Sequence, residues 1–210
     1  MAVIGITGSI ASGKSTFRDL LVPILPARAL DADAISRKLL EEDAEVRSEV
    51  LAAISPGAYG EDGSPDRVEI RRIIYSDAAA KSHLEAILHP RVRKIWLGEA
   101  ALAREESRHL IVDIPLLFET DAARHFEFTI TVACSPDVQL ARLLARGLDA
   151  VLAKKIIHAQ MPVPEKIARS SHVVWNDGGL SALEDQAEYF ARQVRETSSE
   201  GLYQDDEGSF

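Results

Sequence analysis

The chain has 210 residues, 46% of them hydrophobic, with 24 Lys and Arg against 33 Asp and Glu for a net charge of −9. That size suits one ordinary domain with room for a sub-domain or lid, and the acidic balance argues against a general binder of nucleic acid or anionic membrane, which needs a basic surface. No stretch approaches the roughly 18 apolar residues of a membrane span, and Gly5 and Gly8 interrupt the first apolar run too early for a secretory leader, so the expected location is cytoplasmic.

The first element is an apolar run from Ala2 to Ile6 that reads as a buried strand, and Thr16 to Val22 reads as a helix. Between them Gly8-Ser9-Ile10-Ala11-Ser12-Gly13-Lys14-Ser15 fits the phosphate-loop pattern G-x-x-x-x-G-K-[ST], with Thr16 following. Glycines let consecutive amides converge on one point, and the helix beyond adds its partial positive end, so such a loop binds phosphate oxygens. Lys14 is placed to reach the outer phosphates and the Ser15 hydroxyl to bind Mg²⁺.

A second strand is expected at Ala27 to Leu30, followed by Asp31-Ala32-Asp33. Alternate carboxylates point the same way if the backbone stays extended, and one of them could take a proton from a substrate hydroxyl. The other reading makes Asp33 a helix cap ahead of Ala34. From Ala34 to Ser107 only helical patterns occur, broken by a loop from Ser55 to Pro65, which reads as a helical insertion beside the sheet, placed to cover a second substrate. Within it, His89-Pro90 reads as a satisfied histidine before a helix break.

The third strand, His109 to Val112, delivers Asp113, either a structural carboxylate or a partner for Mg²⁺ or its water, and Pro115 stops the strand. The fourth, Phe128 to Ala133, ends at Cys134, the single cysteine, which reads as a buried thiol. A helical block from Asp137 to Arg169 follows, carrying Arg142, Arg146, Lys154, Lys155 and Lys166, and looks like a cationic lid. Arg142 and Arg146, four apart, share a helical face that is either ordinary solvated charge or a fork for a migrating phosphoryl group. The fifth strand, Val173 to Trp175, leads into Asn176-Asp177-Gly178-Gly179, a tight turn placed where a loop could contact a base. Ser198 to Phe210 reads as a solvated acidic tail.

Strands alternating with helices make this an α/β chain, with a parallel five-stranded sheet and helices on both faces, and ligands at the carboxyl ends of the strands. The expected division is a nucleotide-binding core of residues 1–33, 108–136 and 170–197, a helical substrate region 34–107, a lid 137–169 and the tail 198–210. A monomer or weak oligomer is expected.

Several motifs, in order, resemble the dephospho-coenzyme A kinase family: Gly5-Ile6-Thr7-Gly8 through Ser15, then Asp31-Ala32-Asp33-Ala34-Ile35-Ser36-Arg37, Asp66-Arg67 with Ile70, and Leu84 to Pro90. Pro115-Leu116-Leu117-Phe118-Glu119, Gln160 and Asn176-Asp177-Gly178 complete the set. The resemblance implies that ATP binds the loop, that Mg²⁺ bridges its phosphates, and that the γ-phosphoryl passes to the ribose 3′-hydroxyl of dephospho-coenzyme A. It makes Asp33 the residue that orients or deprotonates that hydroxyl, and puts Arg37, His89 and Pro115 to Glu119 near the acceptor. It makes residues 34–107 the region that binds the coenzyme A portion, while the residues themselves make Lys14 and Arg142 the candidates to assist the transfer, Arg146 and Asn176 to serve the nucleotide, and Ser15 and Asp113 to hold the metal.

The chain departs from the family pattern where glycines usually stand and it has Ser9 and Ala11, where Lys155 lies near the usual lid arginine with Gln160 one residue too far, and where Ser170-Ser171 replaces an Ala-Asp pair. A nucleoside or nucleotide kinase of similar architecture, or a nucleotide-dependent regulator, are the other readings of a bare phosphate loop. The Leu-His-Pro and Pro-Leu-Leu-Phe-Glu segments favour the dephospho-coenzyme A kinase reading over both.

Overall fold

The computed structural model describes residues 1–200. It has five strands, β1 (Val3–Gly8), β2 (Arg28–Asp31), β3 (Leu110–Asp113), β4 (Phe128–Ala133) and β5 (His172–Trp175), joined in one sheet of order β2-β3-β1-β4-β5. The β1–β3, β1–β4 and β4–β5 pairs are parallel, with Ile6 opposite both Asp113 and Ile130. The expected parallel sheet is therefore present, its strands displaced by at most two residues from the apolar runs that announced them.

Every residue of β1 and of β3 is buried. A parallel strand covered on both faces needs apolar side chains at every position, which is why these segments read as unbroken runs. Ile4, Ile6, Ile111, Ile130 and Val132 form one core with Phe17 and Leu21 of α1 (Lys14–Ile24) and with Leu183, Ala187, Phe190 and Val194 of α9 (Leu180–Glu200). The strand order places β1 at the centre, with β3 on one side and β4 on the other. That reversal opens a crevice at the carboxyl end of β1, where the glycine loop leaves the sheet.

The chain divides into two compact units, Met1–Leu30 with Ala100–Phe210, and Asp31–Glu99. The second contains α2 (Ala32–Glu42), α3 (Ala44–Ala53), α4 (Arg67–Ser76) and most of α5 (Ala78–Glu105). Its core is Val46, Val50, Ala58, Tyr59, Ile70, Leu84, Ile87 and Leu88. The loop from Ser55 to Pro65 is tied by a short 3₁₀ turn at Pro56–Ala58 and an antiparallel bridge between Tyr59 and Pro65.

Two expectations are corrected by the helices. The helix does not break at Pro90: α5 continues through it to Glu105, and the Arg91 guanidinium donates to the Ile87 carbonyl (2.8 Å), adding a side-chain bond one turn back from the missing amide. The backbone after β2 does not stay extended, because α2 starts at Ala32; its N-cap is Asp31, whose Oδ1 accepts from the Ala34 amide (2.9 Å), so the capping role belongs to Asp31 and not to Asp33. The expected lid block resolves into α6 (Pro136–Ala145), α7 (Ala150–His158) and α8 (Val163–Arg169), and one of its cations, Lys166, is fully buried. Of the expected acidic tail, Ser198 to Glu200 continue α9 and residues 201–210 lie outside the described residues. Among the described residues no helix is long and apolar enough to cross a membrane.

Candidate active site

The loop after β1 turns through two left-handed residues, Ala11 (φ 62°) and Gly13 (φ 89°), the second being the N-cap of α1. This is why the helix begins at Lys14, two residues earlier than its apolar pattern suggests. Gly13 has a second reason to lack a side chain: a Cβ there would lie 2.0 Å from Asn176 Nδ2. At Gly8 a Cβ would meet the Val132 carbonyl oxygen at 2.5 Å, so β1 runs too close to β4 for any other residue.

Side chains from distant parts of the chain hold the loop in this path. Gln139 Nε2 donates to the Ile10 carbonyl (2.9 Å), Arg142 Nη1 to the carbonyls of Ala11 and Ser12 (3.3 Å each), and Asn176 Nδ2 to the Ser12 carbonyl (2.8 Å). Gln160 Oε1 accepts from the Ile10 amide (2.8 Å). With its carbonyls occupied from outside, the loop has amide dipoles left to offer a ligand, the arrangement that suits a polyanion. Arg142 Nη2 also donates to the Asn176 carbonyl (2.9 Å), joining α6, the loop and the turn after β5.

Below the loop, Asp113 is buried and its Oδ1 pairs with Lys14 Nζ. Its Oδ2 lies 3.6 Å from Arg18 Nη1 and makes no hydrogen bond within the protein. The hydroxyl oxygens of Ser9 and Ser12 are likewise buried without a partner. Buried polar atoms are nearly always satisfied, so three orphans in one loop and its neighbour mark a place prepared for a ligand. Among the described residues no three His, Cys, Asp or Glu side chains converge as a metal cage. An orphan carboxylate oxygen beside a phosphate loop instead fits Mg²⁺, which is commonly held by one or two carboxylates together with substrate phosphates.

The remaining site candidates fall in several places. Ser15 and Thr16 are exposed in the first turn of α1, and Arg146 is the exposed C-cap of α6, one residue beyond the helix that carries Arg142. Asn176 is buried against the loop, while Asp177 binds the Ser135 amide (2.7 Å) and the Trp175 indole N–H (3.0 Å), which together hold its carboxyl below the usual carboxylate range. Leu117 and Phe118 are buried, Pro115 and Leu116 half-buried, and Glu119 pairs with Lys166 (2.9 Å). In the Asp31–Glu99 unit, Asp33 and Arg37 are exposed on α2, and His89 is half-buried on α5, where burial pushes its pKa down. Cys134 is a buried thiol as expected, and burial raises its pKa.

The dephospho-CoA kinase family model matches residues 2–182. A dephospho-CoA kinase of Chlorobaculum tepidum is 35% identical over 191 residues, covering 89% of this chain and 91% of its own, and one of Symbiobacterium thermophilum is 38% identical, covering 90% and 79%. Among solved structures, TT1252 from Thermus thermophilus superposes with a TM-score of 0.76 at 34% identity, covering 91% of this chain and 97% of that one. The chain belongs to the dephospho-CoA kinase family. A shikimate kinase from Bacteroides thetaiotaomicron, at 15% identity and a TM-score of 0.52, shares the fold alone.

For a member of this family, the residues that sequence reasoning missed are those that shape the site from a distance. Gln139 is nearly fully buried and grips the loop, yet a glutamine in an amphipathic helix carries no distinguishing signal. Ser171 stands out in the sequence only as a departure from the family pattern. Its hydroxyl donates to the Thr129 carbonyl (3.0 Å) and accepts from the Thr129 amide (2.9 Å), and its own amide donates to Thr129 Oγ1 (3.0 Å). A serine thus ties the start of β5 to β4 without a carboxylate.

Proposed function

We propose that this kinase transfers the γ-phosphoryl of ATP to the ribose 3′-hydroxyl of dephospho-coenzyme A, giving coenzyme A and ADP, the last step of coenzyme A synthesis. The observation that carries the reading is the family match over residues 2–182, which extends far beyond the phosphate loop. The loop from Gly8 to Thr16 binds the triphosphate. Lys14 exchanges its pairing with Asp113 for the outer phosphates as nucleotide arrives. Ser15 and Asp113 are the residues that hold Mg²⁺, which when bound neutralises charge on the phosphates.

Asp33 aims the acceptor hydroxyl and takes up its proton, since phosphoryl transfer asks for an oriented nucleophile more than for a strong base. Support comes from the start of α2, where Asp31 is the helix cap and Asp33, the second residue of the helix, is exposed to solvent. Arg37 and His89 serve the acceptor, the Pro115 to Glu119 segment lies beside it, and Arg146 and Asn176 serve the nucleotide. Arg142, with three bonds to carbonyls of the loop and of Asn176, keeps its charge beside the triphosphate. Residues 34–107 receive the coenzyme A portion, and the enzyme works in the cytoplasm as a monomer or weak oligomer.

The test is ADP release from ATP and Mg²⁺ with dephospho-coenzyme A, adenosine, AMP or another nucleoside as acceptor. Turnover is expected with the first and only background with the others; equal rates across the panel would discard the substrate assignment. Asp33→Asn is expected to lower kcat by about 10²–10⁴-fold with little change in ATP affinity, the signature of a lost general base. Near-normal turnover in that variant removes Asp33 from the mechanism.

A further inference from the structure

Lys166 has no solvent exposure. A lysine is almost never buried so completely unless its ammonium protons find acceptors. Here Nζ lies 2.7 Å from the Pro115 carbonyl oxygen, 2.9 Å from Glu119 Oε1 and 3.5 Å from Thr7 Oγ1. Thr7 immediately precedes Gly8 of the phosphate loop, and its own hydroxyl donates to the same Pro115 carbonyl (3.0 Å). Glu119 Oε1 also accepts from the Met161 amide (3.3 Å). Met161 adjoins Gln160, the residue that accepts the Ile10 amide of the loop. The Lys166 carbonyl, finally, accepts from Thr131 Oγ1 on β4 (3.3 Å).

One buried cation therefore closes a circuit from the start of the phosphate loop, through the segment after β3, to the connector between α7 and α8, and back to the loop. Stability alone gives no reason for it, because well-packed apolar residues of similar volume are often as good as a buried ion pair or better. What an ion pair adds is a fixed direction for each donor and acceptor.

We propose that the buried Lys166 ammonium, paired with the surface carboxylate of Glu119, forms a tie that positions the Pro115–Glu119 segment against the phosphate loop, so that Lys166 is a positioning residue for phosphoryl transfer and Glu119 its partner, not a substrate ligand. The kinetic part rests on the reading that this segment faces the acceptor. A displacement of about 1 Å between nucleophile and phosphoryl group can cost about a hundredfold in rate, so a tie remote from the reacting atoms still registers in turnover.

Lys166→Met and the double variant Lys166→Met/Glu119→Gln separate positioning from packing in the full chain. The single variant leaves a carboxylate without its cation and should lower Tm; the double variant removes both charges and should regain most of that loss. The proposal expects kcat/KM for dephospho-coenzyme A to stay about tenfold or more below wild type in the double variant despite its restored Tm, with KM rising more for the acceptor than for ATP. It also expects faster deuterium exchange at amides of residues 116–120 and 160–161 in Lys166→Met. That readout requires no substrate, so it stands even if the wild-type enzyme were to reject dephospho-coenzyme A. Recovery of activity together with Tm in the double variant, or unchanged exchange in those segments, overturns the proposal.

Discussion

The phosphate loop and the Asp31–Glu99 helices are held by opposite kinds of contact. In the loop, the bonds that set the backbone come from Gln139, Arg142, Gln160 and Asn176, more than a hundred residues away along the chain. In the helical unit the recurring device is an aspartate capping the amides two and three residues on: Asp43 to Glu45 and Val46, Asp66 to Val68 and Glu69, Asp77 to Ala79 and Ala80. The loop is a strained path over-determined by long-range contacts. The helices are local structures with local stops, joined by their own small core. A substitution in the first should harm function well beyond its effect on folding, and one in the second should do the reverse.

The largest effect that would sharpen this contrast is expected from Gly13→Ala. The new methyl meets Asn176 Nδ2 at 2.0 Å and sits on a residue with φ of 89°, so both the backbone and the clamp on Ser12 must move. The left-handed strain alone costs about 1–2 kcal/mol. Turnover with ATP should fall by about 10²–10³-fold, the range for losing one preorganised donor array. Gly13→Ala/Asn176→Gly relieves the clash but not the strain, and should recover only part of the loss. Full recovery would mean that the left-handed turn carries no functional weight.

A smaller effect, of the opposite character, is expected from Asp43→Ala. Its carboxylate caps α3 through bonds of 2.9 and 3.0 Å, and losing such a cap costs about 1 kcal/mol, or about 2–4 °C in Tm for a chain of this size. Activity at 25 °C should stay within about twofold of wild type, measured with saturating ATP and acceptor. A tenfold loss of turnover without a fall in Tm would break the comparison, because it would make a local cap part of the catalytic geometry.

Legibility in the sequence follows the same division. The sheet was readable because strands buried on both faces leave unbroken apolar runs, and the phosphate loop because its glycines answer a backbone requirement at fixed spacing. Pro90 misled because a proline inside a helix is judged by the amide it lacks, whereas the surrounding turns of α5, with Leu84, Ile87 and Leu88 in the core, outweigh that loss. Asp31 and Asp33 could not be told apart, since which of them caps depends on where the backbone turns from strand to helix, and that point shifts by one residue without changing composition. The burial of Lys166 leaves no mark in the sequence, where it is one more cation of the expected lid. Its acceptors, Thr7, Pro115 and Glu119, lie 47 to 159 residues away, beyond any periodic pattern.

The smallest predicted effect comes from Ala11→Gly, where three terms oppose one another. Ala11 sits at φ 62° and a glycine would remove about 1 kcal/mol of left-handed strain. Against this, the Ala11 methyl is buried in a cluster with Leu143 and Ala153, and its loss forfeits about 0.8 kcal/mol. The freer unfolded chain costs about 0.4–1 kcal/mol more. The sum is a destabilisation of a few tenths of a kcal/mol, a shift of about 1–2 °C in Tm, with turnover within about twofold. A gain of more than about 2 °C would show that the strain outweighs the packing, and the loop would then be less firmly held by its distant clamps than their bond lengths imply. A loss of more than about 4 °C would instead make the methyl contact with α6 and α7 one of those clamps, adding an apolar member to a set that is otherwise polar.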